Sequence, residues 1–244
     1  MNFLDAYEWR ARIAPAFIVM LPVLITFMVL QSLLQNTSTL LLQLLTNGIV
    51  LLGLVYIASS VVRYYGQNIE PDIWKSWGGP PSTRFLRWSD TTIGEDTKQK
   101  LHKTVKAICD IELKSRQAES REPDLADEKI QQAFTQVKTI VRQRDPQGVW
   151  LIYNAEYGLY RNLYGSRYIW LAFSILGALV CGYFWKTHNN DTLLLGFVLN
   201  GFASVIILIM GWYYLPKFVL RAANRYAESV WTTFLVDAPE EENK

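Results

Sequence analysis

The positions of charge along the chain are more informative than their number. No Asp, Glu, Lys or Arg falls between Arg12 and Arg63, leaving a 50-residue uncharged tract from Ile13 to Val62. A helix needs roughly 20 apolar residues to cross a hydrocarbon core, so the tract predicts two spans. The polar run Gln35-Asn36-Thr37-Ser38-Thr39 divides it, placing one span near Ile13 to Leu34 and a second near Leu40 to Val62. A second uncharged pair follows. Tyr168 to Trp185 is apolar apart from Ser174, Lys186 to Asp191 interrupts, and Thr192 to Pro216 continues to the aromatic group Trp212-Tyr213-Tyr214. The pattern predicts an all-α membrane protein of four transmembrane helices, arranged as two hairpins with a helical cytoplasmic insert between them. Its divisions are residues 1–12, a hairpin over 13–62, the insert over 63–167, a second hairpin over 168–215, and an amphipathic helix with an acidic tail over 216–244.

Orientation follows from the basic residues, which are enriched on cytoplasmic flanks. Arg10 and Arg12 precede the first span, and 17 Lys and Arg lie between Arg63 and Arg167. Lys217, Arg221 and Arg225 follow the fourth span, whereas the two turns hold only Lys186. Both termini and the insert are therefore expected in the cytoplasm. The first span is too long for a signal peptide, lacks a small-residue cleavage site, and is expected to be retained. Two N-x-S/T sequons, at Asn36 and Asn190, fall in the short outer turns, where they read as chance matches.

Inside the insert, two helices are expected. Over Glu95 to about Lys114, Leu101, Val105, Ile108 and Ile111 share a face, with Lys98, Lys100, Lys103 and Lys106 towards water. Over Asp124 to about Arg142, Ile130, Phe134, Val137 and Val141 repeat at helical spacing, and Asp124, Asp127 and Glu128 occupy the first turn, where the helix dipole favours acids. Ser115 to Pro123 reads as the connecting loop. After the fourth span, Val219, Ala223, Val230, Trp231 and Phe234 predict an amphipathic helix, either on the inner leaflet or against the insert.

Composition then narrows the chemistry. Half of the 244 residues are apolar, and two cysteines exclude a disulfide scaffold. The insert carries 17 basic and 14 acidic residues, too balanced for a nucleic-acid-binding face. His102 and His188 are expected on opposite sides of the membrane, and neither Cys109 nor Cys181 belongs to a Cys-x-x-Cys motif. The expectation is a protein without enzymatic activity, cofactor or metal site. No ionisable residue lies inside a span, which removes the usual mark of ion-coupled transport. The spans instead hold small and amide side chains at helical spacing, among them Asn47, Asn200 and Ser204. These either pack one bundle or meet their counterparts in another subunit, in a seam that lines a pore.

Two clusters flank the insert helices. The first comprises Trp74, Trp77, Gly78, Gly79, Pro80, Pro81, Arg84, Arg87 and Trp88, in which Gly-Gly-Pro-Pro breaks any continuous helix. It reads as an interfacial collar with Arg84 and Arg87 on lipid phosphates, as a docking loop for another protein, or as a small-molecule pocket. It is not a Walker loop. The second comprises Asn154, Glu156, Tyr157, Arg161 and Asn162, read either as a polar clamp of Asn154, Glu156 and Arg161 holding the insert to the spans, or as a wet interfacial helix with a snorkelling Arg161.

These two clusters, with Ala126-Asp127 between them, resemble a set of bacterial multi-span membrane proteins that carry W-x-x-W-G-G-x-P-[ST]-T and N-x-x-Y-G-x-x-R-N motifs and have no established activity. The likeness covers roughly Trp74 to Leu163 and the span layout. It implies a bacterial inner-membrane location and a shared architecture, and it supplies no mechanism. Taken together, the sequence predicts a homo-oligomeric membrane switch, a sensor or effector in contact with membrane lipid and controlled by its insert. Pore formation and a role in bacterial defence fit that architecture by analogy. The alternative is a non-conducting scaffold that recruits a cytosolic protein partner.

Overall fold

The computed structural model describes residues 6–33 and 48–236, and these are all-α, without a strand. Asn47, the first sequon and residues 40–47 of the expected second span lie outside them. The helices used below are α1 (Ala14–Leu30), α2 (Gly48–Asn68), α3 (Glu70–Ser76), α4 (Pro81–Arg84), α5 (Glu95–Cys109), α6 (Arg116–Arg121), α7 (Pro123–Arg144), α8 (Val149–Gly165), α9 (Arg167–His188), α10 (Asp191–Ile209) and α11 (Leu215–Val236). A π-helical turn, Trp9–Ile13, leads into α1, and another, Met210–Tyr214, joins α10 to α11.

Among the described residues, three helical stretches are long and apolar enough to cross a membrane: Trp9–Leu33, Arg167–His188 and Asp191–Val236. Their outer faces show why water is the wrong solvent for them. Leu176, Leu179, Val198, Phe202, Val205 and Ile209 are exposed apolar side chains on consecutive turns of α9 and α10. A soluble protein rarely leaves so continuous an apolar surface uncovered. This is the character of a multi-pass membrane protein.

The chain divides into two compact units, residues 1–70 with 155–220 and residues 71–154 with 221–244. In the first unit, α9 packs on α10 and on α1, and α1 also touches α2. Ala16, Val19, Val55, Val62, Leu163 and Leu215 form one of its cores. Asn190 caps α10 by accepting from the Thr192 amide at 2.9 Å, and its Nδ2 donates to Ser32 Oγ at 3.2 Å, so the fold already uses this sequon's amide.

In the second unit, α7 packs against α4, α5 and α6. Leu86, Leu101, Val105, Ile130, Val137 and Trp150 are joined in its core by Val230, Trp231 and Phe234 of α11. The amphipathic face expected after the last span is thus buried against protein in this unit. Three local expectations need correction. Helix α5 stops at Cys109, because Asp110 takes a left-handed conformation (φ 53°). The supposed loop after Ser115 contains α6, with the Ser115 hydroxyl accepting from the Ala118 amide at its N-cap. Lys98, expected towards water, is 1% exposed.

Candidate functional site

In the first unit, the second half of α8 builds a polar clamp. A carboxylate that the sequence did not single out, Glu70, organises it. Glu70 Oε1 accepts from Tyr157 Oη at 2.8 Å and from Arg161 Nη1 at 2.8 Å. Arg161 Nε and Nη2 also donate to Asn162 Oδ1, at 3.3 and 3.2 Å. Asn162 is buried, and its Nδ2 donates to Ala11 O at 2.7 Å. One turn further on, Ser166 Oγ donates to Val62 O at 3.4 Å.

Small residues make this approach possible. A Cβ on Gly158 would lie 2.9 Å from Ala11 Cβ, and one on Gly165 would lie 2.5 Å from Tyr65 O. Tyr157, Gly158, Arg161 and Asn162 therefore act together, joining α8 to α2, to the start of α3 and to the N-terminal turn. Asn154 belongs to the second unit, and Arg161 forms an ion pair with Glu70, 2.8 Å away, a partner outside the expected set of Asn154, Glu156 and Arg161. Glu70 was missed because it stands in a short polar stretch after α2 with no periodicity to mark it.

Polar side chains between the apolar helices also find one another. Asn200 is 0% exposed, and its Nδ2 donates to Thr26 Oγ1 at 3.1 Å and to Gly196 O at 3.0 Å. Ser174 Oγ and Ser204 Oγ both donate to Asn200 O, at 2.8 and 2.9 Å. A Cβ on Gly196 would meet Cys181 Sγ and Val29 Cγ1 at 2.9 Å each, which is why small residues recur on this face. The Nδ2 of Asn200 and the hydroxyl of Ser204 are thus engaged among α1, α9 and α10 of one chain, while Asn200 Oδ1 is buried without a hydrogen-bond partner among the described residues.

The tryptophan cluster lies in the second unit and is knitted by its own arginines. Gly78 (φ 74°) and Gly79 (φ 120°) take conformations that L side chains rarely adopt, which lets the Gly79 amide return to Trp74 O at 2.8 Å. Pro80 is extended, and Pro81 starts α4. Arg84 Nη1 donates to Trp77 O at 3.1 Å, and its Nε lies 3.0 Å from Asp90 Oδ2. Arg87 forms a bidentate pair with Asp127, Nε to Oδ1 at 2.6 Å, and its Nη1 donates to Gly78 O at 2.6 Å. Both guanidiniums, expected on lipid phosphates in one reading, are held within the unit. Trp88 Nε1 donates to Lys114 O at 3.0 Å, and Trp231 Nε1 to Ser82 O at 3.0 Å.

The electrostatics of this loop follow from burial. Lys98 donates to Arg87 O at 2.6 Å and to Asp90 O, and burial lowers its pKa despite the neighbouring carboxylates. Burial opposes the Asp90 carboxylate, but hydrogen bonds from Thr92 and the charges of Arg84 and Lys98 outweigh it and hold its pKa below the ordinary value. The hydrogen bond to Asp127 raises the pKa of Arg87. His102 lies against Trp88, with ring centroids 4.7 Å apart, and burial lowers its pKa.

Beside the loop is an open pocket of about 680 Å³ lined by Trp88, Glu95, Arg116, Glu119, Asp124 and Asp127, among others. Arg116 sits 5.6 Å from the Trp88 ring centroid and pairs with Glu95. Glu119 is buried and accepts from the backbone amides of Trp88 and Ser89, at 3.0 and 3.3 Å. Arg87 lines it too, and three of its four carboxylates are engaged, Asp127 by Arg87, Glu95 by Arg116 and Glu119 by the two amides, so its walls carry both signs of charge beside one indole. Among the described residues, no group of three or more His, Cys, Asp and Glu is placed to hold a metal ion. Cys109 and Cys181 are buried free thiols, and burial pushes the Cys109 thiol up. Comparisons with protein-family models, with curated proteins and with solved structures find no match for this chain.

Proposed function

We propose that this is a multi-pass protein of the bacterial inner membrane that acts as a non-conducting scaffold, recruiting a cytosolic protein through its second unit. In this reading the chain crosses four times as two hairpins, and both termini and the second unit face the cytoplasm, in keeping with the distribution of Lys and Arg. One observation carries the choice of scaffold over pore. Asn200 Nδ2 and the Ser174 and Ser204 hydroxyls hydrogen-bond inside a single chain, Asn200 Oδ1 is buried, and the outer faces of α9 and α10 are apolar. A conducting seam needs polar groups that face a lumen.

The pocket at Trp88 is the recruitment surface in this proposal. A photo-crosslinking residue placed at Ser89, on the pocket rim, is expected to capture one defined protein in cells, and Trp88→Ala is expected to abolish that adduct. An adduct unchanged by Trp88→Ala, or none at all, would overturn the recruitment reading. The switch reading keeps one supporting observation. Helix α8 supplies Trp150 to the core of the second unit and Tyr157, Arg161 and Asn162 to the clamp of the first. If the protein is a switch, Arg161→Gln will depolarise cells that the unaltered protein leaves polarised.

A further inference from the structure

The start of α9 holds a cation without an anion. Arg167 is 8% exposed, yet no carboxylate among the described residues lies within ion-pair distance of it. Aromatic rings surround its guanidinium carbon, with the Tyr164, Tyr168 and Trp212 centroids at 4.1, 4.5 and 5.5 Å. Nη1 donates to Tyr164 O at 2.8 Å and Nη2 to Tyr168 Oη at 3.3 Å, while Nε is buried without a partner. A guanidinium has five N–H donors and stays charged at any physiological pH, so more than half of its donors have no acceptor among the described residues.

A glycine in a π-helical turn stands against it. Gly211, inside the π-helical turn Met210–Tyr214, faces the stem of Arg167, and a Cβ there would lie 3.3 Å from Arg167 Cβ. π turns inside longer helices often mark functional sites, and this one also brings the Trp212 ring over the guanidinium. Trp212, Tyr213 and Tyr168 are exposed, and Lys217 Nζ lies 3.6 Å from the Tyr213 centroid. Aromatic rings beside basic residues, at the point where an apolar helix begins and another ends, mark headgroup depth.

We propose that Arg167, framed by Tyr168 and Trp212, binds the phosphate of an anionic phospholipid, and that Lys217, exposed against Tyr213, adds positive charge to the same aromatic belt. A guanidinium pairs with phosphate through two parallel hydrogen bonds, and phospholipid is the abundant anion at that depth. Lys217 adds a second positive charge on the exposed side, which favours a headgroup with net negative charge over a zwitterionic one. The inference rests on the reading that α9 and α10 cross the membrane. A protein recovered outside the membrane fraction would remove both claims, whereas loss of lipid selectivity in a protein still inserted removes this one alone.

The test is native mass spectrometry of the full chain released from detergent micelles doped with phosphatidylglycerol or phosphatidylcholine. The unaltered protein is expected to retain at least one phosphatidylglycerol under conditions that strip phosphatidylcholine. Arg167→Gln should lower that retention at least fivefold, and Lys217→Gln, at an exposed position that leaves folding intact, should lower the preference for phosphatidylglycerol at least twofold. Equal retention by the unaltered chain and both variants would overturn the proposal, as would equal retention of the two lipids. So would protection of the protein against thermal unfolding by millimolar glycerol 3-phosphate equal to that from phosphatidylglycerol, which would mark a small-phosphate site. If Arg167→Gln does not fold, the result with Lys217→Gln decides.

Discussion

Removal of the Glu70 carboxylate tests the clamp most sharply, because the structure predicts both the size and the sign of the effect. Glu70 accepts two hydrogen bonds through Oε1, from Tyr157 and from Arg161, and the Glu70 and Arg161 side chains are only 17% and 15% exposed. Hydrogen bonds to charged groups contribute about 1.5–3 kcal/mol each. Residual water access lowers the sum, so Glu70→Ala is expected to cost about 2–4 kcal/mol. A mostly buried cation left without its partner is worse than no pair at all. The double variant Glu70→Ala/Arg161→Met should therefore be more stable than Glu70→Ala alone, with a coupling of about 1.5–3 kcal/mol. SDS-driven unfolding in mixed micelles, followed by far-UV circular dichroism, measures each member of the cycle. Strictly additive single effects, or a Glu70→Ala protein within about 0.5 kcal/mol of the unaltered one, would refute the reasoning.

Other outcomes follow from separate parts of the molecule. Gly158→Ala brings a methyl group to 2.9 Å from Ala11 Cβ and should cost about 1–3 kcal/mol by overpacking; Ala11→Gly in the same chain should restore most of that in the same unfolding assay. Lys98→Met leaves the Arg87 and Asp90 carbonyls without their buried donor and should cost about 2–4 kcal/mol, seen as early loss of the second unit's structure in hydrogen exchange. His102 titrates below its ordinary 6.5 when folded, so the unfolded chain takes up its proton first. Its contribution is therefore complete above pH 6.5 and declines as pH falls from 6.5 towards the lowered folded value. Thermal melts between pH 7.5 and 5 should show that decline, and His102→Gln should flatten it. Asn200→Ala should cost about 0.6–1.7 kcal/mol and leave the native-gel mobility unchanged, because its amide bonds are made within one chain.

Much of the membrane part was legible in the sequence because lipid imposes a crude requirement, a long stretch without charge. Tyr168 to Trp185 meets it, and α9 covers that stretch. The spacing of Ser174 and Ala178, or of Gly196 and Asn200, reads as a buried stripe for the same reason, since close helix contact needs small residues at i and i+4. The second unit was harder. The periodicity of Ile130, Val137 and Val141 locates α7, but periodicity treats every lysine as solvated, and Lys98 is buried because two backbone carbonyls meet at its tip. Helix α5 ends where Asp110 turns left-handed, a local choice that apolar spacing does not register.

The clamp was half visible. Tyr157, Arg161 and Asn162 stood out as polar residues in an otherwise apolar and aromatic stretch, yet their partners, Glu70 and the Ala11 carbonyl, are 87 to 151 positions distant in the chain. Spacing rules reach only a few turns along one helix, so they offered Glu156, close in sequence, and could not point to Glu70. The tryptophan loop shows the same limit from the other direction. Arg84 and Arg87 read as lipid ligands beside a span, whereas Asp90 and Asp127 engage them within the second unit.

Conduction separates a scaffold from a pore. Purified protein reconstituted into potassium-loaded liposomes, with a membrane potential set by valinomycin and read by a voltage-sensitive dye, measures it directly. The potential should persist as long as in protein-free vesicles when an impermeant counter-cation outside is replaced by sodium or by protons. Its collapse in proportion to the protein added, abolished by Asn200→Leu, would show that the buried polar seam lines a path for ions and that the scaffold reading is wrong.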